Sequence, residues 1–239
     1  GRVSVNGADG AETMYAAKNV IVATGSTPRS LPGMDIDDKT VLSSTSMLEL
    51  TEVPKSLVVI GSGAVGVEFA SMHSRFGAKV TIIEVLPRIV PVEDEEISRE
   101  LAASFKRQGI AIYPETRVER ITRGEGGVEL LARSAGDKTE TFRAEKVLMA
   151  VGRRPLSDRV GLEAMGIATE KGYITVDATM RTNVPGVYAI GDVIPTQALA
   201  HLASAEGVLA VEHMAGKPTR PINYDQIPGC TYCSPEIGS

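Results

Sequence analysis

The chain has 239 residues, 43% of them hydrophobic and 23% charged, with a formal net charge of −5. That suits one large or two ordinary globular domains, and with no run of Lys and Arg it argues against nucleic acid or an anionic membrane surface as a partner. No apolar stretch reaches the length of a membrane span, and two cysteines, Cys230 and Cys233, do not make a disulfide-rich secreted scaffold, so a reducing, cytoplasmic setting is expected.

The chain opens at Gly1 already in strand-like alternation, Val3-Ser4-Val5, which suggests a processed chain or a piece of a longer one. Turn residues at 6–10 lead to a second extended stretch at 13–16. A continuous apolar strand follows at 19–23, ending at Thr24-Gly25-Ser26; continuous apolarity indicates burial on both faces, as in a parallel sheet. Residues 28–55, with Pro28, Pro32, Gly33 and Pro54, read as a connection holding one short helix near 46–50.

Residues 57–60 then form a strand, 64–76 a helix stopped by Gly77, and 79–83 a second strand. Helical spacing covers 94–108, acidic at its start and basic at Lys106-Arg107, as the helix dipole favours. A strand at 110–113, an antiparallel meander through 117–121, 128–132 and 139–143, and a strand at 146–150 complete this stretch. Residues 17–25 and 144–152 share one pattern: a turn-rich meander, an apolar strand, then a small residue with Gly. Two copies of one unit suggest two related nucleotide folds.

Three motifs carry chemistry. Gly61-Ser62-Gly63-Ala64-Val65-Gly66 fits G-x-G-x-x-G between a strand and a helix. Gly61 permits the tight turn, Gly63 lets a pyrophosphate reach the backbone, and Gly66 lets helix pack on strand. Glu84 ends the next strand about 20 residues on, where a carboxylate accepts from both hydroxyls of an adenosine ribose and repels a 2′-phosphate. NAD is therefore expected over NADP; Arg88 lies nearby, but Pro87 separates it from the strand end. Finally, the apolar strand 187–190 runs into Gly191-Asp192, and residues 197–214 read as a helix. Gly-Asp there is equally compatible with a ligand-facing carboxylate and with a plain Asp-initiated turn.

Taken in order, ATGS, IGSGAVGVE, IIE, VGRRP, YAIGD and ALAH resemble the flavin-dependent pyridine nucleotide–disulfide oxidoreductases over essentially the whole chain. The wording "EDEEIS" and "LAHLASAEG" is most similar to the branch that oxidises dihydrolipoyl groups. The resemblance implies an α/β fold with two related Rossmann-like FAD/NAD(P)-binding domains of three-layer ββα type. The NAD domain, 28–155, would be inserted in an FAD domain formed by 1–27 and 156–222, with 223–239 beginning an α+β dimerisation domain.

It further implies that Gly61, Ser62, Gly63, Ala64, Val65, Gly66, Val67, Glu68 and Glu84 hold NAD, with Val118 and Gly152 lining the same site and Glu68 near the nicotinamide. Thr24, Gly25, Ser26, Asp192, Ala198, Leu199, Ala200 and His201 match positions that contact FAD. Asp192 would accept from a ribityl hydroxyl, and the 198–201 backbone would approach the isoalloxazine pyrimidine edge. The implied partners are the dihydrolipoyl group of 2-oxo acid dehydrogenase complexes and a second copy of the chain in a homodimer.

The sequence also departs from the family. Its C-x4-C redox pair, its FAD pyrophosphate turn and its C-terminal His–Glu base are not among these residues, so no catalytic residue is assigned here, and no metal site. An upstream segment carrying a second glycine turn and the cysteine pair is expected. Cys230 and Cys233 are read as packing residues, because strand neighbours at i and i+3 face opposite ways. His73 and His213 read as solvated or packed. The readings left open are another disulfide reductase, mercuric or glutathione-type, and a non-catalytic NAD-binding fragment.

Overall fold

The computed structural model describes residues 1–158 and 160–239. The chain folds as two compact units, residues 1–27 with 154–227, and residues 28–153 with 228–239.

The second unit is built on five parallel strands in the order Val41–Leu42, Lys146–Met149, Ser56–Ile60, Lys79–Ile83, Ala111–Tyr113. From Ser56–Ile60 the chain winds outward on one side through Lys79–Ile83 to Ala111–Tyr113. It then returns on the other side as Lys146–Met149. The reversal makes a topological switch point at the carboxyl ends of Ser56–Ile60 and Lys146–Met149, the place where open α/β sheets bind ligands.

Strand alternation splits the apolar run at 57–60 between two cores. Leu57 and Val59, with Val80, Ile82 and Leu148, pack against helices α2 (Ala64–Arg75) and α3 (Glu95–Arg107) through Val67, Ala70, Leu101 and Phe105. Val58 and Ile60, with Ile83, Val147 and Met149, face the antiparallel meander Thr116–Gly124, Gly127–Ser134 and Thr139–Ala144 through Val118, Ile121, Leu130 and Ala132. The result is the three-layer ββα arrangement. In α3 the buried residues Ser98, Leu101 and Phe105 recur at helical spacing, Glu95 and Glu96 occupy the first turn, and Lys106 and Arg107 the last.

Helix α1 (Ser44–Leu48) starts earlier than its sequence reading. Ser43 and Ser46 form a reciprocal cap, the Ser43 hydroxyl accepting from Ser46 N at 3.1 Å and the Ser46 hydroxyl from Ser43 N at 2.9 Å.

In the first unit, Val20–Val22 pairs parallel with Val187–Ala189, and the core gathers Leu162, Ile174, Tyr188, Val193 and Leu209 around them. Helix α4 (Ala200–Met214) begins three residues later than the sequence reading, because Leu199 is extended, with φ −127° and ψ 130°. The hairpin Arg2–Asn6 with Glu12–Ala16 is exposed on both faces. The two echoing segments keep their likeness: each apolar strand follows an antiparallel ribbon and ends at a glycine of positive φ, Gly25 at 69° and Gly152 at 105°.

Residues 228–239, read from the sequence within the start of a further domain, group here with the second unit. Cys230–Thr231 and Ile237–Gly238 pair antiparallel, and the ribbon lies on α2 and α3. Tyr232 N donates to Glu68 at 2.8 Å, Ser234 N to the Ser71 hydroxyl at 3.0 Å, and Gln108 Nε2 to the Ser234 carbonyl at 2.7 Å. Cys233 and Ile237 enter the helix-side core. Ile237→Ala should therefore destabilise the second unit by roughly 2–5 kcal/mol although it lies in the tail. Chemical denaturation followed by circular dichroism checks this, and a loss below about 1 kcal/mol would mean the ribbon does not bear on that core.

Candidate functional site

The glycine turn sits at the switch point, and each glycine has its own reason to be there. Gly61 leaves the strand Ser56–Ile60 with φ 96°, and a Cβ on it would overlap the Ala150 carbonyl of the neighbouring strand end. A Cβ on Gly66 would overlap the carbonyl of Gly61, so this glycine lets α2 close on the strand it follows. Around Gly63 a Cβ would meet nothing within 4 Å. That open side faces a cleft of about 720 Å³, within the range of small-molecule sites. Helix α2 starts beside it with no side-chain cap, leaving its first N–H groups and the positive end of its dipole for an anion.

Glu84, at the end of Lys79–Ile83, is buried, with 5% of its surface exposed. Its Oε2 accepts from Ser62 N at 2.8 Å and from the Ser62 hydroxyl at 2.7 Å, and its Oε1 accepts from Leu86 N at 2.8 Å. The carboxylate thus fastens the glycine turn to the next strand. An ionised carboxylate has about four acceptor positions, so three donors leave roughly one, on Oε1.

The segment after Glu84 closes one wall. Val90 donates its N–H to the Ser62 carbonyl at 2.9 Å and holds φ at 40°, a conformation a β-branched residue adopts only under tertiary constraint. Leu86, Pro91 and Val92 line the cleft, as do Val118 from the meander and Gly152 beyond Lys146–Met149. Arg29 joins them, its Nη2 donating to the Val151 carbonyl at 2.7 Å and its backbone N to the Gly152 carbonyl at 3.0 Å.

Gly61, Ser62, Gly63, Ala64, Val65, Glu84, Val118 and Gly152 all line this one cleft. Gly66 lies beneath it as a packing contact, and Val67 is fully buried in the helix-side core. Glu68 is outside the lining; its Oε1 receives Tyr232 N instead. The sequence reading missed Arg29 and the wall at 86–92. Only a fold that brings residues 29, 62 and 90 together reveals them, and no local motif marks them.

On the first unit, the Thr24 hydroxyl donates to the Leu156 carbonyl at 2.6 Å and the Ser26 hydroxyl to Asp192 Oδ2 at 2.6 Å. Gly25, with φ 69°, accepts Leu156 N at its carbonyl. Asp192 lies in the one-turn helix Gly191–Val193 that ends the strand Val187–Ala189. Ala198 and Leu199 precede α4, while Ala200 and His201 form its first turn, which no side chain caps. These residues belong to one unit and supply an uncapped helix start and a carboxylate.

The remaining reactive groups have structural partners. Cys230 is exposed and Cys233 buried, both as free thiols; the strand holds only Cys230–Thr231 and Cys233 lies in the bend after it, so burial rather than the expected strand alternation sets the two thiols apart. Burial pushes the Cys233 thiol up to about 11, and its Sγ donates to the Pro235 carbonyl at 3.1 Å. His73 is buried, with Nδ1 3.0 Å from the Phe69 carbonyl, and His213 Nδ1 lies 2.9 Å from the Tyr188 hydroxyl. Among the described residues no cluster of His, Cys, Asp and Glu could hold a metal, and no helix is long and apolar enough to cross a membrane.

The pattern of the pyridine nucleotide-disulphide oxidoreductase family matches residues 1–207. The chain is 44% identical to a dihydrolipoyl dehydrogenase of Chlorobaculum tepidum, over 99% of this chain and 50% of that protein. It is 43% identical to a dihydrolipoyl dehydrogenase of Bacillus subtilis, over 100% of this chain and 51% of that protein. The crystal structure of LpdA from Mycobacterium tuberculosis superposes with a TM-score of 0.91 at 32% identity, covering 99% of this chain and 51% of that one. The chain spans about half the length of these relatives.

The three glycines should respond differently to a methyl group. Gly66→Ala should destabilise the second unit by about 1–3 kcal/mol or more, since its Cβ meets backbone that cannot turn aside. Gly63→Ala should leave stability within about 0.5 kcal/mol of the parent or slightly higher, and weaken only what binds in the cleft. Denaturation of both variants checks the pair; equal losses would mean Gly63 is packed rather than open.

Proposed function

This chain belongs to the pyridine nucleotide-disulphide oxidoreductase family, and we propose that it is the nucleotide-handling portion of a dihydrolipoyl dehydrogenase. In this reading the unit of residues 28–153 and 228–239 holds NAD, and the unit of residues 1–27 and 154–227 contributes part of an FAD site. The observation that carries it is the convergence, in one cleft, of an uncapped helix start, an open Gly63 and the buried carboxylate of Glu84.

The residues present fit the cofactor. The N–H groups at residues 64–66 and the dipole of α2 receive the pyrophosphate, over the side of Gly63 where no Cβ intrudes. Glu84 keeps the turn in place and offers its remaining acceptor position, on Oε1, to one ribose hydroxyl. A 2′-phosphate would instead meet a buried negative charge, which favours NAD over NADP. Val118, Gly152, Leu86 and Val92 line the sides of the cleft.

On the flavin side Asp192, oriented by Ser26, accepts from a ribityl hydroxyl, and the extended backbone at 198–199 with the first turn of α4 approaches the ring. Bound together, FAD and NAD supply the two-electron chemistry that links a dithiol to NAD+. The dithiol is a dihydrolipoyl group of a 2-oxo acid dehydrogenase complex, and the complete enzyme is a cytoplasmic homodimer; the likeness to dihydrolipoyl dehydrogenases supports both. Cys230 and Cys233 take no part in the thiol chemistry: Cys233 is buried, and a thiol with its pKa at about 11 is not a nucleophile at neutral pH.

Two measurements test this. The 239-residue chain alone should bind NAD but neither retain stoichiometric FAD nor form NADH from dihydrolipoamide with FAD added. An oxidised-flavin band near roughly 450 nm with sustained turnover would return the thiol role to Cys230 and Cys233. Separately, Glu84→Arg should raise the ratio of NADP to NAD affinity, while lowering stability because Ser62 and Leu86 lose their acceptor. Titration of both cofactors, read as a ratio so that general loosening cancels, gives the result; an unchanged ratio would mean that Glu84 does not reach the ribose.

A further inference from the structure

Glu206, on α4, has no exposed surface. A buried carboxylate is costly unless its oxygens are hydrogen-bonded. Here Oε2 accepts from Gly191 N at 2.7 Å, and Oε1 accepts from the Thr196 hydroxyl at 3.0 Å and the Tyr224 hydroxyl at 3.3 Å. All three donors are neutral. Burial, reinforced by the charge of Glu206, pushes the Tyr224 phenol up to about 12, so it remains a donor across the physiological range.

Two of these donors bracket the turn that carries Asp192. Gly191 opens it with φ 68°, and a Cβ there would lie 3.3 Å from Ala203 Cβ on α4, so the turn lies directly against the helix. Inside it, Ile194 N donates to the Gly191 carbonyl and Thr196 N to the Ile194 carbonyl, each at 2.9 Å. Within the turn, half-buried Asp192 receives the Ser26 hydroxyl.

We propose that Glu206 is a positioning residue for flavin binding: it clamps both ends of the 191–196 turn to α4 and so fixes where Asp192 presents its carboxylate. This rests on the reading of Asp192 as a flavin ligand. The geometry also says which replacement keeps the clamp. Glutamine retains one oxygen for Gly191 N–H and turns its NH2 toward Thr196 and Tyr224, whose hydroxyls can accept as well as donate. An aliphatic side chain removes the acceptor from all three part-buried donors at once.

The test measures FAD dissociation from the holoenzyme that contains this chain, by the rise of free-flavin fluorescence. Glu206→Leu should weaken FAD retention by about tenfold or more, and Glu206→Gln by less than about threefold. Thr196→Val and Tyr224→Phe, which keep the carboxylate and remove one donor each, should fall between them and serve if Glu206→Leu does not fold. NAD affinity should not change. In an Asp192→Asn background the same substitutions should add little further loss of FAD, while their losses of thermal stability should persist. Equal further loss of FAD in both backgrounds, or Glu206→Gln behaving like Glu206→Leu, would overturn the clamp. A neutral Glu206→Leu beside a damaging Asp192→Asn would remove the clamp and leave Asp192 as a ligand. A neutral Asp192→Asn would remove the flavin reading itself, and the clamp with it.

Discussion

The second unit depends on how closely three pieces of backbone approach one another at the carboxyl end of its sheet. Gly61 lies against the Ala150 carbonyl and Gly66 against the carbonyl of Gly61, each with no room for a Cβ. Because α2 can begin immediately at the strand end, its N–H groups emerge at the switch point rather than a turn away from it. The meander-side core, with Val58, Ile60, Val147 and Met149, supports that edge from below. A parallel sheet buried on both faces can hold such a contact rigidly, since neither strand has a free side toward which to relax.

Both units secure the turn after a parallel strand in the same way. After the strand Ser56–Ile60, the turn is held by Glu84 through Ser62; after Val187–Ala189, it is held by Glu206 through Gly191 and Thr196. Each carboxylate is buried and satisfied by neutral N–H and O–H donors. A charged acceptor makes stronger bonds to such donors than a neutral one, and inside the protein it has few competing waters. The cost of burying the charge is offset only while every donor stays in place, so each turn is held in a single conformation. Glu84 faces a cleft, whereas Glu206 is enclosed.

The tail shows how an element that looks independent can be recruited. Residues 228–239 supply Cys233 and Ile237 to a core otherwise made by α2, α3 and the sheet, and Tyr232 N occupies Glu68. Glu68 lies outside the cleft lining, although it is only one turn beyond the glycines. Cys230 and Cys233, close in sequence, are separated chemically by burial, one thiol exposed and the other, in the bend after the strand, among the side chains of the helix-side core.

The amino-acid sequence by itself determined whatever depends on neighbours along the chain. Apolar continuity marked the parallel strands, the acidic start and basic end marked α3, and the spacing from Gly61 to Glu84 marked the cleft, because each is written within some twenty residues. Its errors were also local. Ser43 and Ser46 start α1 sooner than apolar spacing suggested, and the extended backbone at Leu199 delays α4 to Ala200. Only the tertiary structure decided the rest. The wall at 86–92, the place of Arg29, the clamp of Glu206 and the recruitment of Ile237 each join residues with no periodic or spacing signal between them. Such contacts are set by which strands lie side by side and by the need of every buried donor and acceptor for a partner, and that need is met only once the chain has folded.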